Sequence, residues 1–240
     1  MLSNKFYISI LLFLAQLTIT LELSKAHTLG EPDCHSNCTP VSLQTDPPVN
    51  LTEYVRASWY IQQQQLTGYQ RLRDLYCVTA TYNRDQRSKV PFFHGQVISV
   101  YNYANRDGIN GPNENNNQTV LCARVPNASS PEKLLVGPCF LPNIFGGPYY
   151  ILAAGPQPEL YEWAIVIGGQ PTVNMGNNTC TTSEDKINNS GLWLLSRTPQ
   201  LGEEKIEKMK EILLQRNVST QLLKPVVQEG CQYEGAFLKF

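Results

Sequence analysis

Between residues 57 and 196 the chain is built from short runs of β-branched and aromatic residues, each cut off by Gly, Pro or Asn. The runs lie at 58–65, 75–82, 92–103, 119–125, 133–140, 149–154, 161–167 and 192–196. After the eighth the period changes once. Ile206, Met209 and Leu213 fall at i, i+3 and i+7 and predict a helix over residues 202–216, with Glu203 and Glu204 in its first turn and Arg216 in its last. Eight strands with hairpin spacing and one late helix predict an all-β fold: an eight-stranded antiparallel up-and-down barrel with the helix packed outside. A sandwich fits this pattern less well. Closure removes the edge strands, and about eight strands leave an interior wide enough for one small ligand. Residues 105–117 and 172–189 read as polar loops, and 222–227 as a further extended piece.

The 240 residues suit one domain with appendages. Lys5 followed by an apolar run through Ala15, with Ser24 and Ala26 at cleavage spacing, predicts a removed signal peptide over residues 1–26. The run turns polar at Gln16, too short for a bilayer span, so no transmembrane segment is expected in the mature chain. Residues 27–50 read as an irregular N-terminal arm, 51–231 as the barrel with its helix, and 232–240 as a tail. Seven cysteines in an exported chain point to disulfides, with one left over. Seven N-x-[ST] sequons, at Asn37, Asn50, Asn117, Asn127, Asn177, Asn188 and Asn217, predict a secreted glycoprotein with these sites on the surface. A formal net charge of −1 offers nothing to nucleic acid, and three histidines with no C-x-x-C pair give no metal site.

Several segments resemble one family in order along the chain. Val55, Arg56, Ala57, Ser58, Trp59 and Tyr60 are similar to the first lipocalin signature, Tyr-x-Gly-x-Trp-Tyr, with Val55 in place of the tyrosine and Ala57 in place of the glycine. Cys77 to Tyr82, Pro131 to Val136 and Gly147 to Ala153 resemble successive strands of the apolipoprotein D and bacterial lipocalin branch. Leu192 to Pro199, which includes Arg197, closely resembles its last strand, and the predicted helix follows directly.

The resemblance implies that Arg197 lies over the indole of Trp59 and closes one barrel end. It implies that Tyr82, Trp193 and Leu195 line a pocket, and that Cys77 and Cys231 are bridged. Strand alternation adds expectations. With Trp59 inward, Ile61 and Gln63 also point in; with Cys77 outward, Val78, Ala80 and Tyr82 point in. The parity of residues 161–167 stays open because nearly all are apolar. Cys122 and Cys139, on neighbouring strands joined by a turn, can face each other. Cys180 pairs with either Cys34 or Cys38. The expected function is extracellular binding and transport of a small hydrophobic ligand (lipid, sterol, retinoid or pigment), with Ile61, Tyr82, Trp193 and Leu195 as ligand-binding residues and no catalysis or cofactor. Two alternatives are an isomerase using a free Cys77, and a receptor-binding barrel with a filled interior.

Overall fold

The barrel is one antiparallel sheet whose last strand returns to its first. The computed structural model describes residues 38–84, 89–115 and 118–240; the expected signal peptide, Cys34, Asn37 and Asn117 lie outside them. The strands are β1 (Trp59–Gln64), β2 (Tyr76–Asn83), β3 (Val97–Asn105), β4 (Val120–Arg124), β5 (Lys133–Pro138), β6 (Gly147–Gln157), β7 (Leu160–Ile167) and, after a small hairpin of β8 (Val173–Gly176) and β9 (Thr179–Thr181), β10 (Leu192–Ser196). Each of the first six pairs with the next, β7 pairs with β10, and β10 closes on β1 through Tyr60↔Ser196 and Ile61↔Leu195. One-turn helix α1 (Leu51–Tyr54) precedes the barrel, α2 (Glu203–Gln215) follows it, and β11 (Lys224–Pro225) adds to the far side of β1.

Two apolar clusters explain the strand sequences. Trp59, Ile61, Val78, Ala80, Tyr82, Tyr161, Ala164, Val166 and Leu195 belong to the cluster inside the barrel. Leu152, Ile165, Ile167, Leu192 and Leu194 face outward and are covered by Ile206, Met209 and Leu213 of α2. β7 is thus buried on both faces, which is why its alternation cannot be read from hydrophobicity. Arg216, which caps α2, donates from Nη1 to the carbonyls of Leu152 and Ser42 and ties the helix to β6 and the N-terminal arm.

The structure corrects several boundaries. The third strand starts at Val97, not at residue 92. Pro91 and Phe92 form a turn in which Phe92 takes φ 57° and is 93% exposed. The loop at 172–189 contains the β8–β9 hairpin, whose residues are mostly polar and carry little strand signal. Gln63 does not follow Trp59 and Ile61 inward. A bulge between Ile61 and Gln63 inserts one residue, so Gln64, opposite Trp193, takes the inward place. A second irregularity on β2 falls where Cys77 adopts φ 54°, and there Cys77 turns out of the barrel.

Three disulfides tie the outer segments down: Cys38–Cys180, Cys77–Cys231 and Cys122–Cys139. The first resolves the choice left open for Cys180. The C-terminal segment is laid along the outside of the sheet. The β1–β2 ladder has only two pairs, Trp59↔Ala80 and Tyr60↔Thr79. Beyond them the Gln228 side-chain amide bridges the gap, donating to Ile61 O at 2.7 Å and Val78 O at 2.8 Å. Residues expected as a tail continue over β1–β3. Tyr233 meets Tyr60 edge-on, Phe237 meets Tyr101, and Ser58 and Lys239 exchange hydrogen bonds. Among the described residues no helix is long and apolar enough to cross a membrane.

Candidate ligand cavity

One end of the barrel is sealed by α1 and two side chains. The Arg197 guanidinium lies 3.5 Å from the Trp59 ring centroid, a contact that contributes about 0.5–2 kcal/mol. Its nitrogens donate to main-chain carbonyls on every side: Glu53 at 2.8 Å, Tyr54 at 3.0 Å, Ser58 at 3.2 Å, Tyr161 at 3.3 Å, and Ala57. The carbonyls of Glu53 and Tyr54 lie at the end of α1; Glu53 O also accepts from the Arg56 amide at 3.1 Å, while Tyr54 O has no further helical N–H to meet it. Trp59 Nε1 also donates to Tyr54 O at 3.0 Å. Burial pushes the Arg197 pKa down to about 10, so the group stays charged at neutral pH. The N-terminus of α1 is fixed as well. Asn50 accepts from the amides of Thr52 and Glu53 and donates from Nδ2 to Pro158 O.

Above this floor is a cavity of about 440 Å³, within the usual range for small-molecule sites. Ile61, Tyr82, Trp193 and Leu195 all lie on its wall, with Val78, Ala80, Val100 and Leu121. The interior is therefore not filled by side chains, as one alternative required. Gly191, at φ +96°, precedes Trp193, and a β-carbon there would collide with the indole. Glycine thus permits the Trp193 ring to lie where it does, 6.5 Å from the Tyr149 ring and stacked on it.

The base of the cavity carries a feature not read from the sequence. Tyr149 Oη lies 2.7 Å from Tyr54 Oη and 2.8 Å from Tyr82 Oη. Burial raises the pKa of all three phenols, that of Tyr82 to about 12, so they remain protonated near neutral pH. Tyr149 and Gln64 both line the cavity and neither was expected there. Tyr149 was legible only as part of a strand, and Gln64 was hidden by the bulge. Toward the mouth the wall includes Tyr69, Phe145, Ile187 and Asn188.

Cys77, the residue an isomerase reading needs as a free thiol, is bonded to Cys231 on the outer face. Among the described residues no group of three His, Cys, Asp or Glu side chains is placed to hold a metal. Of the sequons, Asn127, Asn177, Asn188 and Asn217 are exposed, the third at the cavity rim. Asn50 departs from its expected surface position: it is half-buried and engaged as the α1 cap.

This architecture has counterparts of known structure. Apocrustacyanin C2 superposes with a TM-score of 0.50 at 15% identity, over 82% of this chain and 93% of that one. Apocrustacyanin C1 also reaches 0.50, at 14% identity over 83% and 94%. Lobster apocrustacyanin A1 gives 0.48 at 15% identity over 85% and 97%. No protein-family profile matches the chain, and no curated protein matches it. The fold is that of the lipocalins: a closed eight-stranded antiparallel barrel followed by one helix.

Proposed function

We propose that this chain is a secreted lipocalin of the apolipoprotein D and bacterial branch, and that it carries a small hydrophobic molecule in the barrel. The observation that carries this reading is the cavity of about 440 Å³, walled mainly by apolar and aromatic side chains and sealed at one end by Trp59 and Arg197. Removing apolar ligand surface from water there yields about 25 cal/mol per Å² buried. Ile61, Tyr82, Trp193 and Leu195 form the binding wall. Residues 1–26 are a cleaved signal peptide, and the disulfides and exposed sequons suit passage through an oxidising, glycosylating compartment. A catalytic role through Cys77 has no support, since its sulfur is held in a disulfide.

Tryptophan fluorescence tests the carrier reading. Of the three tryptophans, Trp193 lines the cavity while Trp59 is fully buried in the floor. Titration with sterols, retinoids and fatty alcohols quenches or shifts the emission of the secreted protein, and Trp193→Phe removes most of that response. No response to any of them defeats the reading.

A further inference from the structure

Counting protons at the cavity base narrows the ligand; the step rests on the carrier reading. The hydroxyls of Tyr54, Tyr149 and Tyr82 carry three protons, and the two contacts joining them, at 2.7 and 2.8 Å, consume two. The third proton has no protein acceptor among the hydrogen bonds of the described residues. Were it on Tyr54, which is 1% exposed and off the cavity wall, it would be a buried unpaired donor. That arrangement costs about 1–3 kcal/mol. Tyr82 and Tyr149 both border the cavity. The favoured arrangement has Tyr54 donate to Tyr149 and leaves the spare O–H on Tyr149 or Tyr82, facing the empty space.

A complementary group sits higher on the wall. Gln64 Nε2 donates to Gln70 Oε1 at 2.9 Å, and Gln70 Nε2 in turn donates to Asp74 O, which fixes both amides. Gln64 is fully buried and its Oε1 has no partner. The cavity therefore offers one unspent donor and one unspent acceptor. Its charge is the third observation. Among the described lining residues Glu114 is the sole charged side chain, and none is Lys, Arg or His. A carboxylate brought into this space would lose its hydration, find no cation among the described lining residues, and share the cavity with Glu114.

We infer that the cavity selects an uncharged apolar molecule with an oxygen that accepts from the Tyr82–Tyr149 hydroxyl pair, or a hydroxyl that donates to Gln64, or both, taking alcohols and carbonyl compounds in preference to the matching acids. Fatty acids and acidic retinoids are thereby excluded as principal ligands, while sterols and the alcohol or keto forms of polyenes fit.

The test is a titration of the secreted, full-length protein, read by tryptophan fluorescence, with compounds that differ only in the head group. One series is retinol, retinal and retinoic acid; the other is cholesterol and cholesterol sulfate. The neutral members bind at least about tenfold more tightly than the anionic ones at neutral pH. Tyr149→Phe weakens retinol or cholesterol binding several-fold and shrinks the gap to the acid. Gln64→Leu, which leaves the tyrosine cluster untouched, does the same should the phenol variant fold poorly. Anionic members that bind as tightly as the neutral ones overturn the inference and leave the carrier reading standing. No response to any member of either series defeats both.

Discussion

Arg197 is the side chain whose chemistry is least replaceable. Its planar fork meets five carbonyls and an indole face at once, which a lysine ammonium with three donors on a flexible stem cannot do. Arg197→Lys is expected to lower unfolding free energy by about 1–3 kcal/mol through stranded carbonyls, and Trp59→Ala by about 3–5 kcal/mol as a buried truncation. Urea denaturation of the secreted variants measures both, and a midpoint equal to the parent's in either removes that residue from the floor. The tyrosine cluster makes a second prediction, in pH. The Tyr82 phenol ordinarily loses its proton near 10.0 but holds it to about 12 in the fold. Between those values the native state binds the extra proton, so stability present below pH 10 falls as pH rises, by up to about 3 kcal/mol for this group. Tyr54 and Tyr149 act in the same direction, and Arg197, Arg124, Arg216 and Lys239, whose pKa values burial lowers, oppose them. The melting temperature should drop above pH about 10, and Tyr82→Phe should flatten the drop. Arg197 was legible because the last-strand residues that flank it are distinctive, and Trp59 because the Trp-Tyr pair of the first signature is kept although Val55 and Ala57 depart from it. The hydrogen bonding of three tyrosines drawn from α1, β2 and β6 left no trace in local spacing.

Among the elements, β1 shows how far alternation can be trusted. Trp59 and Ile61 obey it and Gln63 does not, because the bulge changes the parity for the rest of the strand. A run of four glutamines, Gln62 to Gln65, conceals the shift, since no apolar residue marks which face is buried. By contrast α2 was plain from sequence, because only one of its faces is covered and its stripe carries the contrast. The join of β1 to β2 depends on a residue far along the chain. Gln228 satisfies two carbonyls where the ladder has ended, so Gln228→Leu should cost about 1–3 kcal/mol. Hydrogen exchange should show faster opening of β1, β2 and the C-terminal strap than of β6 and β7. Uniform protection across the barrel in that variant would show that Gln228 does not hold the seam.

At the level of the whole molecule, the barrel divides its apolar residues between two compartments. The inner one leaves room for a guest, and the outer one is spent on the helix. The order of strands, the closing pair and the late helix could be read from pattern and resemblance together. The space left in the middle could not, since a sequence states which faces are apolar without stating whether they touch. The crosslinks have a consequence for integrity. Cys38–Cys180 and Cys77–Cys231 overlap along the chain, so every peptide bond between residues 38 and 231 lies within at least one covalent loop. A protease that clips any single exposed turn in that interval releases no fragment. The nicked protein should run as one species on a non-reducing gel and as two after reduction, so a barrel cut once would keep both halves, and whatever its cavity holds, together.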